Sequence, residues 1–72
     1  MNEILTHRLF RDDIADGILE LVETNPGITT REIEKAIGLS DAGTRYRLLS
    51  LEAAQLIRRE RSRGRVHYYL NR

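Results

Sequence analysis

Seventy-two residues with 12 basic and 11 acidic side chains, a formal net charge of +1, make one domain with a small core. The chain has no cysteine, which excludes a disulfide framework and a thiolate metal site; His7 and His67 lie near opposite ends, so no metal is expected. Its apolar runs fall far short of the roughly 18 residues a membrane span needs, and no basic-then-apolar leader opens it, so the expectation is a soluble cytoplasmic protein without membrane contact.

Residues 1–11 read as an N-terminal arm, with Ile4, Leu5 and Leu9 as its apolar positions. Asp12 and Asp13 can cap free N–H groups and oppose the helix dipole, and Ile14, Ile18, Leu21 and Val22 follow at helical spacing, which predicts a first helix over 12–24. Gly17 weakens that helix but allows another backbone to come close, and Asn25-Pro26-Gly27 ends it. Thr29 and Glu32 have the spacing of a capping box, opening a second helix over 29–37 with Ile33, Ala36 and Ile37 on its buried side. Gly38 suits a left-handed helix end, Leu39 a buried hinge, and Ser40 the cap of a third helix over 40–54, with Asp41 in its first turn. Thr44, Leu48 and Leu51 form that helix's inward stripe. After Leu56-Ile57 the period changes to two. Val66, Tyr68 and Leu70 alternate with Arg65, His67 and Tyr69, predicting a hairpin over 57–70 that turns at Ser62-Arg63-Gly64. The fold class is α+β, mostly α: three helices and a C-terminal two-stranded β-hairpin wing.

Charge is segregated along the chain. Residues 1–40 carry four basic side chains against eight acidic ones, and residues 41–72 carry eight against three. The C-terminal part is therefore the part suited to face a polyanion. The acidic residues Asp12, Asp13, Asp16, Glu20 and Glu23 have no nucleophile, base or pocket beside them, so they read as a solvated helix face and no enzyme is expected.

The run Leu39–Arg59, L-S-D-A-G-T-R-Y-R-L-L-S-L-E-A-A-Q-L-I-R-R, resembles the recognition-helix segment of winged helix-turn-helix regulators. It is similar to the arsenical-resistance-type and multiple-antibiotic-resistance-type repressors. It is also similar to the short regulators of pilus phase variation, which match in length and in the R-Y-x-L-L-x-L-E pattern at Arg45 to Glu52. Two positions depart from the pattern: Gln55 stands where the loop residue is often Gly, and Thr44 where an apolar β-branched residue is usual. At 72 residues there is no room for the long dimerisation helices of the larger repressors.

The resemblance implies a third helix in the major groove of double-stranded DNA and a wing on the flanking backbone or minor groove. Major-groove reading needs side chains near the N-terminal half of a helix, and Ala42, Gly43, Arg45, Tyr46 and Leu49 occupy that surface. Arg45 suits bidentate bonding to guanine, Tyr46 a sugar or phosphate, and Ala42 and Gly43 allow close approach. Arg47 is a further contact; the alternative for both arginines is a solvated face, with Arg47 paired to Asp41 or Asp13. Arg61, Arg63 and Arg65 bracket Gly64 and suit phosphate or a narrow minor groove. Thr30, Arg31 and Ser40 stand at helix N-termini, where backbone N–H groups favour phosphate. No cofactor or small-molecule ligand is legible. A homodimer on adjacent half-sites is the expected assembly, with residues 2–10 as its contact. Two rival readings remain: a protein-interaction module docking through Leu49, Ile4, Leu5 and Leu9, and an accessory domain that binds nucleic acid without base preference.

Overall fold

The apolar spacing that begins at Ile14 becomes the inner side of α1 (Asp13–Thr24) in the computed structural model, which describes residues 13–71. Ile18 and Val22 are buried, with Ile14, Ala15, Leu19 and Leu21 packed around them. Asp13 and Asp16 occupy the first turn, where a carboxylate opposes the positive end of the helix dipole. Asp12, the arm before it and the dimer contact expected there fall outside the described residues. At Gly17 a Cβ would meet the Ile37 side chain at an ordinary 3.6 Å rather than a neighbouring backbone, so this glycine does not serve the expected close approach.

The helix stops where Asn25 folds back, its backbone N–H and side-chain amide donating to the Leu21 carbonyl at 2.8 and 3.1 Å. Gly27 follows at φ 88°, a conformation costly to any L side chain, and a Cβ there would crowd the Tyr69 hydroxyl at 3.3 Å. This turn delivers β1 (Ile28–Thr29) to β3 (Arg65–Leu70). The two pair antiparallel, Ile28 opposite Tyr68 and Thr29 opposite His67. The Gly27 N–H donates to the Tyr68 carbonyl at 2.8 Å, and His67 Nδ1–H donates back to the Gly27 carbonyl at 2.8 Å.

Thr29 is also the N-cap of α2 (Thr30–Ile37). Its hydroxyl accepts from the Glu32 N–H at 3.2 Å, and the Glu32 carboxylate accepts from the Thr29 N–H at 2.9 Å. Ile33 is buried, but Ala36 is exposed and Ile37 and Leu39 only partly buried. Eight residues are little more than two turns, and the inward side narrows to the Ile33–Ile37 line, which leaves Ala36 to solvent. Gly38, at φ 80°, ends α2 with its N–H on the Glu34 carbonyl. Ser40 then caps α3 (Asp41–Ala53), its hydroxyl accepting from the Gly43 N–H at 3.2 Å.

Thr44, Leu48 and Leu51 are the buried stripe of α3. They join Ile18, Val22, Ile28, Ile33, Ile57 and Tyr68 in one core, in which Thr44 is 0% exposed. Its Oγ1 has no hydrogen-bond partner among the described residues. A buried hydroxyl without a partner costs about 1–3 kcal/mol, and valine has nearly the same shape. Thr44→Val is therefore expected to stabilise the fold by about 1 kcal/mol, raising the midpoint of thermal unfolding by roughly 4–8 °C. An unchanged or lowered midpoint by circular dichroism would show that the hydroxyl finds a partner in solution.

The end of α3 explains the departure at Gln55. The Leu56 N–H donates to the Leu51 carbonyl at 3.0 Å and the Gln55 N–H to the Glu52 carbonyl at 2.9 Å, the pair of bonds that closes a Schellman motif. That motif needs a left-handed residue at Gln55, and φ there is 62°. Glutamine is held where glycine is at ease. Gln55→Gly is expected to add about 0.5–1 kcal/mol in urea titration, relief of the left-handed strain outweighing glycine's greater unfolded-state entropy. A loss of stability would mean that the entropy term wins.

The chain leaves this cap as β2 (Ile57–Ser62), which pairs antiparallel with β3 from Ile57 opposite Leu70 to Ser62 opposite Arg65. The strand order is β1-β3-β2. Only Ile57 of β2 is buried; residues 58–62 are all exposed, so the hairpin projects from the core as a wing. Its two-residue turn places Arg63 at φ 54° and Gly64 at φ 78°, both left-handed, as a type I′ hairpin requires. The fold is thus the expected α+β, mostly helical winged helix, with β1 added as a third strand beside the two-stranded wing. No helix among the described residues is long and apolar enough to cross a membrane.

Candidate nucleic-acid interface

Burial of Thr44, Leu48 and Leu51 fixes which side of α3 faces outward. Successive residues turn by roughly 100°, so Ala42, Tyr46 and Leu49 point away from the core while Arg45 and Arg47 leave from opposite flanks. Tyr46 is 69% exposed and Leu49 60%.

Arg45 lies on the flank that faces α2 and the wing. Its Nε bonds both oxygens of Asp41, one turn back, at 3.1 and 3.0 Å. The pair is exposed and adds little stability, but it orients the guanidinium. The bond uses Nε, which a two-pronged grip through the terminal nitrogens does not need. The side chains of Asp41 and Glu34 hydrogen-bond each other across the α2–α3 turn. That bond, and then Arg45, hold the Asp41 carboxyl below its ordinary value. The same bond pushes Glu34 up.

Two adjoining grooves meet at Arg45. The first, about 410 Å³, runs between the start of α2 and the start of β3, with Thr30, Arg31, Lys35, Arg45 and Arg65 on its walls beside the capping carboxylate of Glu32. The second, about 210 Å³, runs between α3 and the wing, lined by Arg45, Leu49, Arg59 and Arg61 among others. Thr30, Arg45 and Val66 border both, so the two are one continuous surface. Thr30, Arg31, Arg45, Arg61 and Arg65 are therefore brought together on one face. Strand register explains the wing's share: Arg59 and Arg61 stand opposite Tyr68 and Val66, so their side chains share the face that looks toward α3. Arg63 and Gly64 form the exposed tip of the same hairpin.

The remaining residues of the sequence-based set sit apart from these grooves. Ala42 and Tyr46 lie on the outward side of α3. Gly43 and Arg47 lie on the far flank, where Arg47 Nη1 donates to the Gly43 carbonyl at 3.2 Å and is half-buried. The bond to Asp41 that the sequence reading offered to Arg47 is made by Arg45. Ser40 spends its hydroxyl on the cap of α3. At the start of α2 the Glu32 carboxylate already occupies the Thr29 N–H, held below its ordinary value by the Thr29 backbone and hydroxyl. Lys35 and Arg59 are members of the cationic surface that sequence reasoning missed. Each carried a signal: Lys35 is four residues after Arg31 on one helix, and Arg59 two residues before Arg61 on one strand. Arg58, by contrast, is on the other face of the hairpin, stacked 4.8 Å from the Tyr69 ring centroid and donating to the Leu70 carbonyl at 3.0 Å.

Helix, turn, helix and projecting wing, with arginines from four elements around one surface, define a winged helix-turn-helix protein. Among solved structures, MepR, a transcription regulator of the Staphylococcus aureus multidrug efflux pump MepA, matches with a TM-score of 0.80 at 20% identity, covering 90% of this chain and 50% of its own. A predicted DNA-binding transcriptional regulator from E. coli matches with a TM-score of 0.76 at 20% identity, covering 99% of this chain and 75% of its own. At that identity the likeness is one of fold. No curated protein matches the sequence. The sequence profile of the MarR family matches residues 17–65, and the chain belongs to that family of winged-helix, DNA-binding transcription regulators. It spans half the length of MepR.

Proposed function

We propose that this chain is an intracellular, sequence-specific double-stranded DNA-binding transcriptional regulator that acts as a homodimer. One observation carries the reading: Arg31, Lys35, Arg45, Arg61 and Arg65, from both helices of the helix-turn-helix and both strands of the wing, border a single surface. A polyanion laid along it meets α3 first. The outward side of α3 enters the major groove, where Arg45, steadied by Asp41, bonds the O6 and N7 of a guanine. Arg61 and Arg65 take phosphates on one side, and Arg31 and Lys35 take them at the start of α2 on the other. Arg63, at the wing tip, reaches the flanking backbone or minor groove. Membership of the MarR family supports a repressor's role and a two-fold assembly, in which two copies read half-sites one helical turn apart.

Selection of bound sequences from a random duplex pool, followed by titration of the winner against salt, tests this. The expected result is a short guanine-containing motif, bound with log K falling by about 4 per decade of salt for each copy if four or five phosphates are neutralised. Recovery of unselected sequence with the same salt slope would favour a reader of backbone alone. No retention of any duplex would favour the protein-interaction module, to which exposed Tyr46 and Leu49 also lend themselves.

A further inference from the structure

An exposed leucine in the wall of a cationic groove needs a reason. Leu49 is 60% exposed, and the adjacent Leu48 already anchors α3 in the core, so Leu49 has no packing duty there. It lies one turn beyond Arg45 on the same helix and lines the α3–wing groove together with Arg45, Arg59 and Arg61. Tyr46 stands beside it on the outward side. The surface is therefore an apolar spot bordered by Arg45, Arg59 and Arg61, with the Glu52 carboxylate in the same groove turned to Arg59 at 3.6 Å. An apolar protein partner would have to cover those charges, whereas duplex DNA is a polyanion that carries its own apolar group in the major groove, the C5 methyl of thymine.

We infer that Leu49 reads a thymine methyl. The inference rests on the DNA-reading function proposed above and adds a second base to it. One helical turn separates Leu49 from Arg45, an advance of about 5–6 Å. Base pairs rise by about 3.4 Å, so the thymine lies one or two steps from the guanine that Arg45 holds. Tyr46 packs along the sugar on that side and keeps water from the contact.

The test is deletion of the methyl alone. In the selected duplex each thymine is replaced singly by deoxyuridine, which keeps the pairing and removes one carbon. Wild-type protein is expected to lose about fourfold in affinity at one position, one or two steps from the essential guanine, and little elsewhere. Leu49→Ala is expected to bind the thymine duplex about as weakly as wild type binds the uridine one, and to be indifferent to the replacement. Leu49→Met, still apolar, is expected to keep the methyl preference. Because the side chain is exposed, both variants should melt as wild type does, which separates the effect from misfolding. Wild-type binding that ignores every uridine overturns the inference while leaving the regulator reading intact; so does a methyl preference that survives in Leu49→Ala. A chain that selects no duplex overturns both.

Discussion

Leu48→Ala is expected to remove most of this protein's stability, and Leu49→Ala, one residue on, almost none of it. Leu48 is 1% exposed and Leu49 60%. A buried leucine cut to alanine loses its transfer energy and leaves a cavity, together about 2–5 kcal/mol. A core of this size supplies only about 3–5 kcal/mol in total. The site also has little capacity to collapse, because Leu48 shares the inward stripe of α3 with Thr44 and Leu51 and the core with Ile18 and Ile33. Leu49 touches none of that balance, so its truncation should stay within about 0.5 kcal/mol of wild type. Circular dichroism at 222 nm under a thermal ramp measures both. A cooperative Leu48→Ala transition within about 5 °C of wild type would mean that the core reads differently in solution.

The contrast between those neighbours was legible in the sequence because a helix imposes its period locally. The same holds for the capping box of Thr29 and Glu32, the left-handed Gly38, the Ser40 cap and the alternation along Val66, Tyr68 and Leu70. Each depends on residues a few positions apart, and together they gave the helix-turn-helix and wing. What stayed hidden depends on distant partners. β1 is two residues long: Ile28 reads as a one-residue anchor in a minimal strand, but nothing within Ile28-Thr29 says which strand it pairs with. It exists because the Gly27 turn presents it to a partner forty residues away, where His67 donates to the Gly27 carbonyl. Ala36 reads as buried on a helical wheel, but the wheel does not say how wide a strip its neighbours cover. Gln55 stands out by composition, while the left-handed backbone that makes it costly is visible only in the closed Schellman turn.

The candidate interface divides the same way. The excess of arginine after residue 41 pointed to the half of the chain that supplies Arg45, Arg59, Arg61 and Arg65 to the shared surface, and the exposed side of α3 followed from its buried one. Which flank of α3 faces the wing is a tertiary fact, however: the sequence ranks Arg45 first and Arg47 as a further contact, and only the fold turns Arg47 to the far flank. Lys35 was obscured by lying in the acidic half, although its spacing from Arg31 placed both on one side of α2. The Glu34–Asp41–Arg45 chain of contacts crosses a turn, so neither helix alone reveals it. Its consequence is geometric: Asp41, at the start of α3, ties down the guanidinium of the arginine that borders both grooves.

That arrangement predicts two arginine variants with opposite signatures. Arg45→Ala should cost about 1–3 kcal/mol of discrimination at one guanine, roughly ten- to a hundredfold, while binding to random duplex falls only modestly. Arg63→Asn should weaken every sequence alike and shrink the salt slope by about 0.9, because a tip residue on backbone or minor groove neutralises charge without reading a base edge. Asparagine is chosen over alanine because the turn is type I′, in which Asn-Gly is the favoured pair. Arg63 holds φ 54° where asparagine is more at ease, so the variant should be more stable by about 0.5–1 kcal/mol even as it binds less well. That divergence makes the result readable, since weaker binding by a more stable protein cannot be blamed on unfolding. It would also explain why an arginine is kept at a strained position: the strain sits in the free wing, and DNA contact is what it serves. Binding isotherms on cognate and mixed duplex at two salt concentrations, with a urea titration of each variant, decide the matter. If Arg63→Asn shifts base preference, or Arg45→Ala changes only the salt slope, the assignment of reading to α3 and anchoring to the wing is reversed.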